Sequence, residues 1–109
     1  MPDNKPLPHL QFAILGILMN GPQSGREIRD GLGKLGIEKA GPAFYRLMGR
    51  LEESGMAKGW YTQEIVDGQI FRERVYEASA AGRRAWSRTR DFHMTVIGLE
   101  GRAGDAAKA

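Results

Sequence analysis

The chain has 109 residues, which suits one domain with a modest hydrophobic core and excludes two independently folded domains. Hydrophobic residues make up 41% of it and charged residues 27%, and the net charge of +3 permits a polyanionic partner without demanding one. There is no cysteine, which excludes disulfides and thiolate metal sites, and the two histidines lack metal-ligand spacing, so we expect neither a metal nor another cofactor.

The first twenty residues divide into an arm and a helix. Residues 1–8 hold three prolines and few apolar side chains, so we predict a flexible arm. Residues 9–20 predict a helix that is apolar around nearly its whole circumference and that ends at Gly21-Pro22. Such a helix must be buried on more than one side, which a small domain can rarely do alone. A partner subunit is the natural cover.

Two features of this segment argue against a membrane protein. The apolar run from Phe12 to Met19 is too short to span a bilayer. The N-terminus lacks the basic start and the cleavage site of a signal peptide. We therefore expect a cytoplasmic protein that does not contact a membrane.

A capping box begins the second helix, with Ser24 at the N-cap and Glu27 three residues further on. Apolar residues then repeat at the spacing of one helical face, namely Ile28, Leu32 and Leu35. A short linker that contains Gly36 leads to the next helix. Two short helices joined by a tight, glycine-containing turn form a helix-turn-helix.

The helix predicted over residues 41–55 is the centre of the domain. Its apolar residues stand at i, i+3, i+4 and i+7 and share one face: Phe44, Leu47, Met48 and Leu51. Its outward side carries an aromatic hydroxyl and two arginines: Tyr45, Arg46 and Arg50. A basic helix face is typical of a DNA reader. Arginines on an outer helix face are also common as solvated charge, and Glu52 and Glu53 dilute them here.

The pattern changes from helical to extended after Gly55. Residues 56–65 and 70–76 predict two strands, and Asp67-Gly68 between them is the signal of a hairpin turn. A hairpin directly after a helix-turn-helix makes a winged helix. Three polar residues of this wing could meet a DNA backbone: Gln69, Arg72 and Arg74. Alternatively, the two arginines pair across the ribbon with Glu64, Glu73 or Asp67.

The last predicted helix covers residues 80–99, with Ser79 as a suitable N-cap. Residues along it repeat at alternating steps of four and three, as in a coiled-coil seam: Ala85, Thr89, Phe92, Val96 and Leu99. Trp86 and His93 broaden one side of the seam. We predict a dimerisation helix, with folding back onto its own domain as the alternative. Residues 100–109 predict a disordered tail.

Several motifs occur in a fixed order along the chain. They are Ile14-Leu15-Gly16-Ile17-Leu18, Gly21-Pro22, Gly25, Glu27-Ile28, Pro42-Ala43-Phe44-Tyr45-Arg46-Leu47-Met48, Arg50-Leu51-Glu52-Glu53-Ser54-Gly55, and Tyr76 with Ser79, Gly82 and Arg83. In this order and at these spacings, residues 12–86 resemble the PadR-like family of winged-helix transcriptional regulators, in its short-tailed branch with a single C-terminal helix. The resemblance implies a homodimer built through the first and last helices, with Tyr45 and its helix in the major groove. Some relatives respond to small aromatic molecules, which implies an effector of this class at the dimer interface, beside Trp86.

Three stretches depart from the family pattern. Ser24-Gly25-Arg26 stands where the family often has His-Gly-Tyr, Ala43-Phe44 replaces Gly-Thr-Leu, and Ala78-Ser79 replaces Leu-Thr. These differences bear on which operator is read more than on the fold.

The predicted fold is mainly α with a two-stranded β-wing, that is, a winged helix-turn-helix over residues 9–79 followed by a dimerisation helix. The predicted function is a homodimeric, sequence-specific transcriptional regulator, in the first place a repressor, that binds a palindromic operator in double-stranded DNA. The predicted DNA contacts are Ser24, Gly25, Arg26, Pro42, Ala43, Tyr45, Arg46, Arg50, Gln69, Arg72 and Arg74. The predicted dimer interface consists of Leu10, Ile14, Ile17, Ala85, Trp86, Thr89, Phe92, His93, Val96 and Leu99.

Two other classes of function compete with this one. A winged-helix module that binds protein and has lost its DNA affinity is compatible with the modest net charge and with four glutamates: Glu52, Glu53, Glu73 and Glu77. An enzyme is not expected, since the chain shows no paired acids, no nucleophile with a base and no glycine-rich phosphate loop after a strand.

Overall fold

The computed structural model describes the backbone of residues 5–107 and the side chains of residues 5–100. Within that part of the chain, four helices and three strands follow one another: α1 (His9–Leu18), β1 (Gln23–Ser24), α2 (Gly25–Lys34), α3 (Gly41–Glu53), β2 (Ala57–Val66), β3 (Gln69–Ala78) and α4 (Ala80–Ala107). The strands form one antiparallel sheet in the order β1-β3-β2. The predicted winged helix-turn-helix followed by one long helix is confirmed.

The sheet has one strand more than the predicted two-stranded wing. In β1, Gln23 and Ser24 pair with Tyr76 and Val75 of β3. A strand of two residues has no alternation of apolar and polar side chains, so sequence periodicity cannot detect it. The short strand ties the start of α2 to the base of the wing.

The apolar face of α3 lies in the core. Phe44, Met48 and Leu51 are fully buried and Leu47 is half-buried, as their spacing predicted. They belong to a cluster with buried residues from the three other helices and both long strands: Ile14, Leu15, Leu18, Ile28, Leu32, Ala57, Tyr76, Ala78 and Ala85. This packing leaves the opposite side of α3 facing outward.

Much of the cover for α1 comes from the same chain. The first half of α4 packs against α1, where Trp86 stacks on Phe12 with a ring-centroid distance of 5.7 Å and an interplanar angle of 14°. Ile14, a residue of the predicted dimer interface, is fully buried inside the chain. The apolar circumference of α1 therefore required less cover from a partner than the sequence suggested, because α4 folds back onto it.

Residues 5–8 are attached to the domain, unlike the predicted flexible arm. Leu7 is buried, and its backbone N–H donates to Thr89 Oγ1 at 3.0 Å. The Thr89 hydroxyl in turn donates to the carbonyl oxygen of Ala85 at 2.8 Å. One leucine among prolines carries no periodic signal, so its role becomes visible only through this long-range contact. Residues 1–4 of the predicted arm lie outside the described part.

α4 is longer than predicted, and its surroundings change along its length. Ala85 and Thr89 are buried against their own domain, which corrects their placement at the dimer interface, whereas Phe92, Val96 and Leu99 are about half exposed. The helix continues to Ala107 through the segment predicted as a disordered tail, where alanine, arginine and glutamate are good helix formers. Its 28 residues span about 42 Å of the 70 Å length of the molecule. Residues 108–109 lie outside the described part.

The capping box of α2 is complete, as the sequence predicted. Ser24 Oγ accepts from the backbone N–H of Glu27 at 3.1 Å, and Glu27 Oε1 accepts from the backbone N–H of Ser24 at 3.0 Å. The backbone hydrogen bond from Ser24, helped by its side chain, lowers the pKa of Glu27 below the ordinary value of 4.5. The stability contributed by the ionised carboxylate is therefore present above pH 4.5 and is lost as the pH falls through the lowered pKa.

We expect Glu27→Gln, which keeps an oxygen acceptor but cannot titrate, to be less stable than the parent chain at neutral pH. The difference in free energy of unfolding should be constant above about pH 5 and should shrink below it, because protonation removes the advantage of the parent. Urea unfolding across this range measures the difference. A difference that does not change with pH would contradict the role assigned to the Glu27 carboxylate.

Gly82 allows α4 to approach the turn that follows α3. It is buried, and an added Cβ would overlap the backbone carbonyl oxygen of Met56. The same carbonyl accepts the N–H of Ser79, whose hydroxyl accepts from the N–H of Gly82 at 3.0 Å, the N-cap bond that the sequence predicted. The start of α4 is thus held against the backbone, with no flexible side chain between them.

Gly82→Ala should lower the free energy of unfolding by about 1–3 kcal/mol, because the Met56 carbonyl cannot move aside as a side chain could. Gly98→Ala is the matched control in the same helix, since nothing lies within 4 Å of its added Cβ. That control should stabilise the chain by roughly 0.5–1 kcal/mol through helix propensity. Thermal unfolding of both variants at one protein concentration tests the contrast, and shifts of the same sign would contradict it.

Candidate nucleic-acid interface

The outward side of α3 presents a tyrosine and two arginines. Tyr45 is 47% exposed, and Arg46 and Arg50, one helical turn apart, are both exposed. Within the described part of the chain, neither arginine forms an ion pair. Because the apolar face of the helix is fixed in the core, these side chains stand on a rigid support and keep their charge free for an anionic partner.

Tyr45 lies across the N-terminus of α2. A Cβ added at Gly25 would come within 2.9 Å of the Tyr45 hydroxyl oxygen and 3.2 Å of a ring carbon. The ring also meets Phe44 edge-on at a centroid distance of 5.1 Å. Gly25, a predicted DNA contact, is buried and provides the space that holds Tyr45 in place.

The other predicted contacts from α2 have different surroundings. The buried Ser24 hydroxyl is engaged in the capping box, which corrects its placement as a DNA contact. Arg26 is exposed and pairs with Glu73 of the wing at 3.1 Å. Exposed ion pairs of this kind contribute at most about 1 kcal/mol, so Arg26 can exchange Glu73 for a phosphate. Pro42 and Ala43 lie in the first turn of α3, where Pro42 is exposed and Ala43 half-buried.

The two arginines of the wing differ in their partners. Arg74 Nη2 donates to both carboxylate oxygens of Glu52 in α3, at 3.0 and 2.9 Å, and about a quarter of each side chain is exposed. The predicted alternative of pairing with Glu64, Glu73 or Asp67 is therefore wrong for Arg74. The hydrogen bond that Arg74 donates to Glu52 raises the pKa of Arg74 above its ordinary value, although burial acts in the opposite direction.

Arg72 is exposed and stacks on an aromatic ring. Its guanidinium carbon lies 4.6 Å from the ring centroid of Tyr61, and that of Arg74 lies 4.8 Å from the same centroid. Arg72 forms no ion pair among the described residues. Sequence reasoning missed Tyr61, which pairs directly with Arg74 across the ribbon, although aromatic and cationic residues on facing strands were a usable signal.

The end of the wing is narrow and apolar. Asp67 and Gly68 have positive φ angles of 52° and 77°, which is the geometry of the tight hairpin turn that the sequence predicted. Gln69 begins β3 beside this turn and is exposed. Four apolar side chains around the turn are also exposed: Ile65, Val66, Ile70 and Phe71.

Two grooves border α2. One, of about 1010 Å³, runs along the linker between α2 and α3 and is lined by two pairs of cations and two acids: Arg26, Arg29, Lys34, Lys39, Asp30 and Glu38. Arg29 Nη2 donates to the carbonyl oxygen of Lys39 at 3.1 Å across it. The other, of about 400 Å³, is lined by Arg26 of α2 and by side chains of both wing strands. No sequence motif marks Arg29, Lys34 or Lys39, so they were not predicted as functional residues.

Trp86, the residue beside which an aromatic effector was predicted, packs against side chains of its own chain. Trp86 is covered by Phe12 on one side and by the Arg90 guanidinium at 5.5 Å, and His93 lies 5.1 Å from Phe12. Trp86 lines neither of the two grooves described above. Leu10 and Ile17 of the predicted interface are half-buried, and His93 is exposed.

The described residues also bear on other kinds of site. Among them, no three His, Asp or Glu side chains stand where they could hold a metal ion together. No helix in that part of the molecule combines the length and the apolar character needed to cross a membrane.

A three-helix core, a two-stranded wing and a trailing helix define a winged helix-turn-helix protein. No protein-family model matches the sequence, and no curated protein matches it significantly. Solved structures do match the fold. A PadR family transcription regulator from Clostridium difficile R20291 is 17% identical with a TM-score of 0.75, and the match covers 87% of this chain and 97% of that one. A PadR family transcriptional regulator from Eggerthella lenta DSM 2243 is 20% identical with a TM-score of 0.67, covering 86% of this chain and 80% of that one.

PadR from Bacillus subtilis, solved in complex with operator DNA, is 23% identical with a TM-score of 0.61. That match covers 72% of this chain and 45% of the Bacillus subtilis chain. At these identities the likeness concerns the fold. The chain has the fold of the PadR family of transcriptional regulators, as the resemblance of its motifs implied.

Proposed function

We propose that this protein is a PadR-like, homodimeric transcriptional regulator that binds a palindromic operator and represses by occupying it. The observation that carries the proposal is the outward side of α3, where Tyr45, Arg46 and Arg50 stand on a buried apolar face with both arginines unpaired among the described residues. The operator complex of a protein with the same fold, PadR of Bacillus subtilis, supports DNA as the partner.

In this proposal α3 enters the major groove. Arg46, nearest the middle of the outward side, makes a bidentate contact with a guanine, which is worth about 1–3 kcal/mol of discrimination against another base. Tyr45 and Arg50 flank it and contact phosphates, which position the helix without reading sequence. Pro42 and Ala43 leave the first turn of α3 narrow enough to approach the bases, and Arg26 and the wing contact the backbone on either side.

The second subunit in this proposal covers the outer half of α4. Phe92, Val96 and Leu99 fall on one side of that helix and are about half exposed in the single chain. An apolar stripe of this length on a helix that leaves its domain is typical of a helix-helix interface. In such a dimer the two copies of α3 should meet half-sites one DNA turn, roughly 34 Å, or a multiple of it apart.

Selection of bound duplexes from a random pool, followed by affinity measurements on variants, tests the DNA contacts. Arg46→Ala should lose discrimination at one base pair per half-site, by about 1–3 kcal/mol. Arg50→Ala should weaken binding to all duplexes alike and should flatten the salt dependence, since it removes a phosphate contact. Arg88→Ala, which removes an exposed arginine of α4, controls for net charge.

The two α3 variants should therefore change binding in different ways: Arg46→Ala changes base discrimination, and Arg50→Ala changes overall affinity and its salt dependence. Parent-like affinity for the selected operator in both variants at moderate salt would show that α3 is not the reader. A parent chain whose weak binding to duplexes does not depend on salt would instead favour a winged-helix module that binds protein.

The dimer is tested by polar substitution on the outer half of α4. The triple variant Phe92→Ser, Val96→Ser, Leu99→Ser should sediment as a folded monomer, because these side chains lie outside the core of the single chain. Met94→Ser is the matched control, since Met94 is equally exposed but lies on the opposite side of the helix. Sedimentation equilibrium measures the assembly, and an unchanged dimer in the triple variant would contradict the proposed interface.

A further inference from the structure

The base of the wing is joined to the end of α3 by one ion pair. Glu52 lies in the last turn of α3 and Arg74 in β3, 22 residues further along the chain, with two N–O distances of 2.9 and 3.0 Å. The Arg74 guanidinium carbon also lies 5.7 Å from the ring centroid of Tyr76, which is buried in the core. The pair therefore spans from the recognition helix to the strand that anchors the wing.

Gly59 makes room for this pair. It stands directly opposite Tyr76 in the antiparallel ladder. A Cβ added there would come within 2.5 Å of Glu52 Oε1 and 2.9 Å of Arg74 Nη2. Glycine weakens a strand interior and is retained where another group approaches the backbone closely. The chain thus has a glycine at the position in β2 where an added Cβ would displace the charged ends of Glu52 and Arg74.

Tyr61 extends the arrangement toward the outer wing. It stands directly opposite Arg74 in the ladder and stacks against both Arg72 and Arg74. The two arginines differ in their ion-pair partners. Arg74 uses its Nη2 on Glu52, whereas Arg72 faces solvent with no ion pair among the described residues. The Tyr61 ring therefore contacts Arg74, whose charge is neutralised by Glu52, and Arg72, whose charge is available to an anionic partner.

Among the described residues, the exposed Arg26–Glu73 pair is the only ion pair that joins residues 61–73 of the wing to the rest of the domain. Every residue from 61 to 73 is exposed, and the strands there touch mainly each other. A two-stranded ribbon that packs on nothing else is at best marginally stable in water. Two elements that read one half-site must nevertheless keep a fixed separation, because rigid placement lowers the cost of ordering on binding.

We propose that Glu52, Arg74 and Tyr61 form a clamp that fixes the wing relative to α3, with Arg74 as a positioning residue and Arg72 as the wing arginine that contacts phosphate. This inference rests on the proposed function. It also explains a carboxylate on the DNA-facing helix. If Glu52 acted only as an unpaired charge, it would repel phosphates, and its removal would tighten binding to every duplex alike. If Glu52 holds the clamp, its removal should instead reduce the preference for the operator.

The clamp is tested first in the DNA-free protein. The chain has no cysteine, so a variant in which both Gln69 and Lys34 are replaced by cysteine takes up one spin label at each of these exposed positions. Pulsed electron-spin distances, measured after dilution with unlabelled chains, should show a narrow distribution in the parent. Arg74→Ala and Gly59→Ala should both broaden it, and Gly33→Ala, whose added Cβ meets nothing within 4 Å, should not.

The second arm compares the selected operator with a random duplex of equal length over a range of salt. Arg72→Ala should lower the slope of log affinity against log salt by about 0.9 per phosphate contact, or about 1.8 for a dimer. Arg74→Ala should leave the slope unchanged. It should reduce the ratio of operator affinity to random-duplex affinity by about two- to fivefold, which is the range of a partly exposed ion pair.

Two further variants separate the clamp from simple electrostatics. Gly59→Ala should lower the same ratio although every charge is retained. Glu52→Gln should also lower the ratio of operator affinity to random-duplex affinity, although it removes a negative charge from α3.

Two results would overturn the clamp. One is a slope that falls as much in Arg74→Ala as in Arg72→Ala, which would make Arg74 a phosphate contact. The other is an unchanged distance distribution in Arg74→Ala and Gly59→Ala, whether or not DNA binds. A parent chain that binds neither duplex would defeat the proposed function and the phosphate role of Arg72, while the distance measurement would still decide the clamp.

Discussion

The burial of Phe44, Met48 and Leu51 fixes α3 on the core and so decides which of its side chains reach solvent. These three residues are fully buried, and each large apolar side chain buried in this way contributes about 1.5–3 kcal/mol. The helix therefore cannot rotate without exposing them. The arginines on the other side therefore project from a fixed helix, and a surface that recognises another molecule requires such a rigid support.

Glycines allow the other elements to approach this fixed helix. Gly25 admits the ring of Tyr45 over the start of α2, and Gly59 admits the Glu52–Arg74 pair between α3 and the wing. Gly82 brings α4 onto the backbone at the end of α3. At each place a side chain would occupy the space through which two elements touch, so the relative positions of helix, wing and trailing helix depend on the absence of a Cβ.

Local patterns in the sequence were sufficient to place the four helices, the capping box and the hairpin turn, but they ended α4 at residue 99 instead of Ala107. The face of α3 followed from its spacing, and Asp67-Gly68 marked the turn because its positive φ angles favour these residues. Periodicity could show which side of α4 is apolar, but it could not show what covers it. The domain ends partway along that helix, so Ala85 and Thr89 are buried inside the chain while Phe92 and Val96 are not.

Contacts between distant residues could not be read in this way. Arg74 pairs with Glu52 and not with the acids of the ribbon that are nearer in sequence, because the packing of β3 beside α3 brings the Glu52 carboxylate within reach. Leu7 is held by Thr89, at the other end of the chain. The two-residue strand β1 depends in the same way on the position of β3.

Photocrosslinking from α3 tests the central claim, that its outward side meets DNA, most directly. Gly49 lies on that side between Arg46 and Glu53, and nothing lies within 4 Å of its added Cβ, so a photoreactive benzoylphenylalanine there would leave the core intact. The same residue at Gly98, an open position of α4, is the control. Irradiation of the operator complex should link position 49, and not position 98, to a base of each half-site. Crosslinking to DNA from position 98 alone, or from neither position in a complex that binds tightly, would contradict this account.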